Sequence, residues 1–233
     1  FRRNQKIFES AQLLCRDGKK LVSQKSCLNQ TNTPNKKTNM KNALLLIDIQ
    51  NDFLPGGALG VPEGDQILPW AQRLLELPFD RKIASQDWHP KNHASFAKLW
   101  PPHCIVGSKG ADLAAPLLPE MFDRVIQKGT HSEIDSYSAF FDNQKEHQTD
   151  LCKDLLQEGI NTLYIAGLAT DYCVKFTVLD ALQLGFTVFV IREACRGVNL
   201  DPHDSKNAFA EMERAGARVV SFADVEKLAK RRP

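Results

Sequence analysis

The chain has 233 residues, of which 42% are hydrophobic and 25% are charged, with a formal net charge of +2. These values are ordinary for a soluble globular protein, and the length suits one large α/β domain with a buried core. No apolar run approaches the roughly 20 residues that a membrane-spanning helix needs, so we expect no membrane segment.

Charge is distributed unevenly between the first 41 residues and the rest of the chain. Residues 1–41 carry ten Lys and Arg against two acidic residues, whereas the remainder carries 20 against 26. The acidic balance of the remainder argues against nucleic-acid binding by the folded part. We expect residues 1–41 to be a disordered basic extension, with Met40 as the natural start, and residues 42–233 to form the domain.

The six cysteines form no CxxC pair, and Cys15 and Cys27 fall in the extension. The extension lacks the apolar core of a secretory signal. We therefore expect reduced thiols in a cytoplasmic protein.

From residue 43 onward, apolar strands alternate with amphipathic helices. The first strand, residues 43–47, is apolar without alternation, which is typical of a parallel strand covered on both faces. Further strands are predicted over residues 81–86, 124–127, 162–166, 186–191 and 218–221, and helices over 65–77, 148–158, 171–184 and 203–215. This order predicts an α/β fold with a three-layer, doubly wound, mostly parallel six-stranded sheet and helices on both faces. Neither GxGxxG nor GxxxxGK[ST] occurs, so dinucleotide and P-loop functions have little support.

Four of the predicted strands are followed by residues that carry chemistry. Asp48 follows the first strand, Asp87 the second and Lys128 the third, and Cys173 lies in the turn after the fourth. Because ligands of such sheets bind beyond the carboxyl ends of the strands, these side chains are expected at one edge.

The stretch after the second strand is rich in histidine. Asp87 and His89 stand two positions apart, so on a strand they would share a face, and His103 can return to the same point from a loop. One carboxylate and two imidazoles suit Zn²⁺, Fe²⁺ or Mn²⁺ and leave positions open for water or substrate, which is typical of a catalytic site. The alternative is a polar, proline-rich loop with scattered histidines.

Cys173 stands at the start of a predicted helix, where exposed N–H groups and the helix dipole lower a thiol pKa and can hold an oxyanion. It can therefore act as a nucleophile for acyl transfer, with Asp48 as general base and Lys128 orienting that carboxylate. The alternatives are an inert buried cysteine, a carboxylate that caps nearby amides and a surface lysine. Their occurrence together at one edge favours catalysis.

Taken in this order, the residues resemble the nicotinamidases of the isochorismatase-like cysteine hydrolase superfamily. The matching stretches are residues 48–53, 56–59, 87–96, 100–104, 127–129, 135–140 and 167–174. The resemblance implies a catalytic triad of Asp48, Lys128 and Cys173. It also implies an oxyanion hole formed by the N–H groups of Ala169 and Cys173, with a cis peptide bond between Leu168 and Ala169.

The resemblance further implies one divalent metal ion held by Asp87, His89 and His103. We expect Zn²⁺, with Fe²⁺ or Mn²⁺ as alternatives. His93 matches the motif as a residue behind the ligands or beside the substrate. The implied walls of the substrate site are Phe53, Leu59, Trp100 and Tyr137.

Members of the family hydrolyse nicotinamide to nicotinate and ammonia through a cysteine thioester, as a step of NAD salvage. We therefore expect an amidohydrolase whose partner is nicotinamide, with no nucleic acid or membrane partner, and we leave a homo-oligomer open. Two alternatives are another amidohydrolase of the superfamily, acting on a carbamoyl or ureido substrate, and a non-catalytic binding module of the same fold. Such a module should have lost the thiol, the lysine or the acid, and this chain keeps all three.

Overall fold

The computed structural model describes residues 41–230. Apart from Lys41, the extension predicted over residues 1–41 lies outside this range and stays a prediction. The strands are β1 (Lys41–Ile47), β2 (Arg81–Asp87), β3 (Arg124–Lys128), β4 (Ile160–Leu168), β5 (Thr187–Arg196) and β6 (Arg218–Val220). The α-helices are α1 (Leu68–Leu75), α2 (Ala94–Lys98), α3 (Leu151–Gln157), α4 (Lys175–Gln183), α5 (Asp204–Ala215) and α6 (Phe222–Lys230).

The six strands form one parallel sheet in the order β3-β2-β1-β4-β5-β6. This confirms the predicted sheet, and the buried run of β1 lies at its centre, as its unbroken apolar sequence requires. The chain runs outward in one direction from β1 and in the other from β4. Right-handed crossovers therefore place the helices of the two halves on opposite faces, and a crevice opens between β1 and β4 at their carboxyl ends.

Most element boundaries differ from the prediction by a few residues, for local reasons. The helix predicted over 65–77 begins as a 3₁₀ turn (Gly64–Ile67), and α1 follows with Pro69 in its first turn, where a missing N–H costs nothing. The helix predicted over 148–158 begins later, because Gln148 forms an antiparallel bridge with Phe141 and the main-chain N–H of Thr149 donates to the carbonyl of Phe140 at 2.9 Å. Residues 171–184 divide into a π-helical turn and α4.

Three features had not been predicted from the sequence. Helices α2 and α6 were not expected, and β5 continues to Arg196 rather than ending at residue 191. Within residues 41–230, no helix has the length and apolarity needed to cross a membrane. The four cysteines of this range are buried and free, as expected for reduced thiols.

Candidate active site

Asp48 stands at the carboxyl end of β1, in a left-handed conformation with φ of 49°. It is fully buried, accepts a hydrogen bond from the Ser85 hydroxyl at 2.7 Å and lies 3.0 Å from the ammonium group of Lys128. Burial raises the pKa of Asp48 to about 6, because the loss of solvation outweighs the opposing charge of Lys128. A carboxylate with this pKa is well matched to accept a proton near neutral pH.

Lys128, the last residue of β3, lies at the centre of the cluster with 2% of its surface exposed. Its Nζ lies 2.5 Å from Asp87 Oδ1, donates to the carbonyl of Ser136 at 2.7 Å and lies 3.6 Å from the sulfur of Cys173. Burial alone would lower the pKa of Lys128, but the charges of Asp48 and Asp87 outweigh it and hold the pKa well above its usual value. The side chain is therefore a buried cation that two carboxylates share.

Cys173 lies in the π-helical turn (Thr170–Val174) that follows β4. Its sulfur and a carboxylate oxygen from each of Asp48 and Asp87 lie within 4.8 Å of one another. The expectation that its position in the turn lowers the thiol pKa is wrong. Burial raises the pKa of Cys173 well above its usual value, and the Lys128 charge only partly opposes this. The resting thiol therefore keeps its proton and needs a base.

The turn that carries Cys173 begins with the cis peptide bond between Leu168 and Ala169 that the resemblance implied. Gly167 has a φ of 132°, and a Cβ atom there would lie 2.1 Å from the carbonyl oxygen of Ile47, so only glycine fits between β1 and β4. The carbonyl of Ala169 accepts hydrogen bonds from the N–H groups of Tyr172 and Val174 and closes the turn. The oxyanion role of Ala169 and Cys173 stays a prediction.

Asp87, His89 and His103 converge as the sequence predicted. Asp87 Oδ2 lies 3.6 Å from His89 Nε2 and 3.9 Å from His103 Nε2. The two Nδ1 atoms are bonded to main-chain carbonyls, of Gly129 at 2.8 Å and of Pro101 at 2.7 Å. These bonds fix the rings with Nε2 directed at Asp87, which is the arrangement that backs histidine ligands of metals.

This trio fits a divalent cation. Within the described part of the chain, the buried Nε2 of His89 has no hydrogen-bond partner, which is unusual for a buried polar atom. Burial alone would raise the pKa of Asp87, but Lys128 and then His89 lower it below its usual range, so the carboxylate is ionised. One ionised carboxylate and two imidazole nitrogens form a donor set that suits Zn²⁺.

A second trio, His89, His93 and Asp135, also brings its possible ligand atoms within 4.8 Å of one another. The His93 ring stacks on that of His89 with centroids 4.1 Å apart. Both of its nitrogens are already bonded, Nδ1 to the Ser95 hydroxyl at 2.7 Å and Nε2 to the carbonyl of Ile134 at 3.3 Å. Because both nitrogens of His93 are occupied, the trio of Asp87, His89 and His103 is the better candidate for a metal site, and His93 lies against the face of the His89 ring.

One cavity joins the thiol to the candidate metal ligands, because Cys173, Asp87 and His103 all line it. The indole N–H of Trp100 donates to the hydroxyl of Tyr137 at 3.2 Å, which fixes two aromatic walls relative to each other. All four walls implied by the resemblance line this cavity, namely Phe53, Leu59, Trp100 and Tyr137.

Sequence reasoning missed several residues around the cavity. Val61, Asp135, Tyr172 and Val198 also line it, and Val198 was missed because β5 was predicted to end too early. Outside the cavity, the carboxylate of Asp52 accepts a hydrogen bond from the main-chain N–H of Cys104 at 2.7 Å. Asp52 lies within residues 48–53, which match the family, and this match could have indicated its importance.

Known proteins that resemble this chain in sequence and structure point to a single family. Residues 42–224 match the isochorismatase domain, and the chain belongs to the isochorismatase family. It is 49% identical over 206 residues to the nicotinamidase of Escherichia coli, covering 79% of this chain and 97% of that protein.

Two solved structures are also similar. PnC1 from L. infantum in complex with nicotinate has 37% identity and a TM-score of 0.75, covering 79% of this chain and 94% of that one. The pyrazinamidase of Pyrococcus horikoshii in complex with zinc has 41% identity and a TM-score of 0.70, covering 78% and 99%. Their bound molecules are a pyridine carboxylate and a metal ion.

Proposed function

We propose that this chain is a nicotinamidase, which converts nicotinamide and water to nicotinate and ammonia. The observation that carries the proposal is the single cavity that Cys173 shares with Asp87, His103 and aromatic walls. A thiol at one end suits attack on a carboxamide, and a metal-type donor set at the other suits a ring nitrogen. The E. coli relative and the nicotinate complex of the L. infantum protein support this substrate.

In the proposed first half-reaction, Asp48 takes the proton of the Cys173 thiol and the thiolate attacks the amide carbon. The raised thiol pKa means that a base must take the proton, and the carboxylate of Asp48, within 4.8 Å of the sulfur, is placed to do so. The N–H groups of Ala169 and Cys173 bind the oxygen of the tetrahedral intermediate. Asp48 then returns the proton to the nitrogen, the C–N bond breaks, and ammonia leaves a thioester behind.

In the second half-reaction, water attacks the thioester carbon while Asp48 accepts a proton from it. The C–S bond breaks, nicotinic acid forms and gives its proton to the released ammonia or to solvent as nicotinate, and the sulfur regains its proton from Asp48, which restores the resting site. Lys128 stays charged throughout, because the ionised carboxylate of Asp87 holds it even while Asp48 carries a proton, and it orients Asp48 toward the sulfur. Its positive charge also stabilises the thiolate 3.6 Å away.

We propose that Asp87, His89 and His103 hold one divalent metal ion, with Zn²⁺ favoured over Fe²⁺ or Mn²⁺. The buried, unpartnered Nε2 of His89 and the zinc complex of the P. horikoshii relative support this assignment. When bound, the metal supplies a Lewis-acid anchor for the pyridine nitrogen. The ring is then held between Phe53 and the other walls, with its carboxamide at the sulfur.

The test is ammonia release from purified, zinc-loaded protein with three substrates: nicotinamide, pyrazinamide and an N-carbamoyl amino acid. We expect kcat/KM for nicotinamide to exceed that for the carbamoyl compound by about 100-fold or more, because only an aromatic ring fills the walls and reaches the metal ligands. Preference for the carbamoyl compound would identify the related amidohydrolase instead. Absence of turnover on every amide, with thiol and metal intact, would indicate a non-catalytic module.

A further inference from the structure

Gln50 is fully buried three residues after the end of β1, and the proposed chemistry does not use it. Its side-chain amide bonds both main-chain polar groups of Asp87. The N–H of Asp87 donates to Gln50 Oε1 at 2.8 Å, and Gln50 Nε2 donates to the carbonyl of Asp87 at 2.8 Å. The same Nε2 donates to the carbonyl of Ala111 at 2.8 Å.

These bonds replace a main-chain pairing that the sheet has lost. The last ladder contact between β1 and β2 is made by the N–H of Asp48, which donates to the carbonyl of Ser85 at 3.2 Å. Asp87 is two residues further along β2, so its polar groups point to the same side, toward β1. The left-handed conformation of Asp48 turns the chain away at this point, and the N–H of Gln50 bonds back to the Asp48 carbonyl. The amide of Gln50 fills the vacated place.

We propose that Gln50 is a positioning residue for the metal centre, holding the main chain of Asp87 so that its carboxylate stays between Lys128 and the two histidines. This inference rests on the proposed role of Asp87 as a metal ligand. Oδ1 of Asp87 is bonded to Lys128, and the main chain that Gln50 holds sets the position from which the carboxylate reaches toward His89 and His103. Residues behind a ligand commonly change metal affinity when they are replaced.

The site requires an amide and not merely a polar side chain. Gln50 accepts one hydrogen bond and donates two, and all three partners are main-chain groups. A methionine has nearly the same length and makes none of these bonds. A protonated glutamic acid keeps the acceptor but can donate only one bond, and an ionised one can donate none.

The experiment measures the zinc affinity of purified full-length protein by competition with a coloured chelator, for Gln50→Met, Gln50→Glu and the parent. We expect both variants to bind Zn²⁺ about 10- to 100-fold more weakly. Gln50→Glu is the milder change and keeps the test possible if Gln50→Met fails to fold. A metal affinity equal to that of the parent in a folded Gln50 variant would overturn the proposal.

Two matched controls separate positioning from a general loss of stability. Gln86→Met removes a bond to the same carbonyl of Ala111, at 2.8 Å, but none to Asp87. Val178→Ala destabilises the core within α4. Both should keep zinc affinity within about twofold, and a Gln86 variant that weakened binding as much as Gln50→Met would overturn the assignment to Asp87. If the parent bound no zinc but hydrolysed nicotinamide, this inference would fail while the amidase proposal stood.

Discussion

The two sides of Lys128 differ although each presents one carboxylate to the same ammonium group. On one side, burial raises the pKa of Asp48 to about 6, since the solvation that it loses outweighs its interactions with Lys128 and Ser85. On the other side, the same loss of solvation would raise the pKa of Asp87, but Lys128 and His89 together lower it below its usual range. Two carboxylates with one shared cation are thus prepared for different tasks.

This difference shows that the partners of a carboxylate, and not its residue type, decide its chemistry. Asp48 adjoins the thiol of Cys173, so a carboxylate that readily takes up a proton is useful there. Asp87 adjoins His89 and His103 and has its main chain bonded to Gln50, so its ionised carboxylate is held in a fixed position. Asp48 can therefore take up and release a proton near neutral pH, whereas Asp87 stays ionised.

The largest effects are expected when each carboxylate is neutralised in turn. Asp48→Asn should lower kcat/KM for nicotinamide by about 10²- to 10⁴-fold, which is the usual contribution of a general base, while zinc affinity stays close to that of the parent. Asp87→Asn should weaken zinc binding by more than about 100-fold, because even residues behind a ligand contribute 10- to 100-fold. Steady-state kinetics and chelator competition on the same samples provide both readouts.

Circular dichroism of both variants is the control for folding. If Asp48→Asn lost zinc as severely as Asp87→Asn, or if Asp87→Asn kept full zinc affinity, the two sides of Lys128 would not have the separate roles assigned to them.

A smaller effect is expected in the pH dependence of kcat/KM. Asp48 must be ionised to accept the thiol proton, and its pKa is raised to about 6, so activity is present above this value and lost below it. We expect kcat/KM to fall by about tenfold per pH unit below pH 6. The pKa of Cys173 lies well above its usual value and adds no acid limb. The measurement is a pH profile under saturating zinc.

The variant Ser85→Ala tests whether Asp48 is the group that causes the loss of activity at low pH. The Ser85 hydroxyl donates to Asp48 Oδ1 at 2.7 Å and favours the ionised form. Its removal should move the acid limb to higher pH, with little change in zinc affinity. An acid limb that did not move, or that moved to lower pH, would mean that another group controls the profile.

Much of the site could be predicted because a parallel sheet collects the carboxyl ends of its strands. Asp48 and Lys128 stand at or next to strand ends, and Cys173 in the turn after β4, so alternation of strands and helices was enough to bring them together. The histidine-rich stretch likewise placed His89 and His103 beside Asp87, and a candidate metal site can be recognised from a few residues of distinctive type.

The remainder depended on three-dimensional detail that periodicity does not encode. Gln50 bonds main-chain groups of β2 and of a distant loop, and Asp52 bonds the main chain of another loop. Such bonds follow from the three-dimensional course of the chain rather than from a repeating pattern. The direction of the Cys173 pKa shift was wrong in the prediction because the helix-end argument omits burial. Helix α2 was not expected because it is a single short turn in a proline-rich region.

The most direct test of catalysis through the Cys173 thiol is ammonia release from nicotinamide by the parent protein and by Cys173→Ala, both loaded with zinc to the same occupancy. We predict turnover by the parent and none above background for the variant, which should still bind Zn²⁺ and fold, since the alanine removes only the sulfur. Turnover by Cys173→Ala at the rate of the parent would contradict a reaction through this thiol.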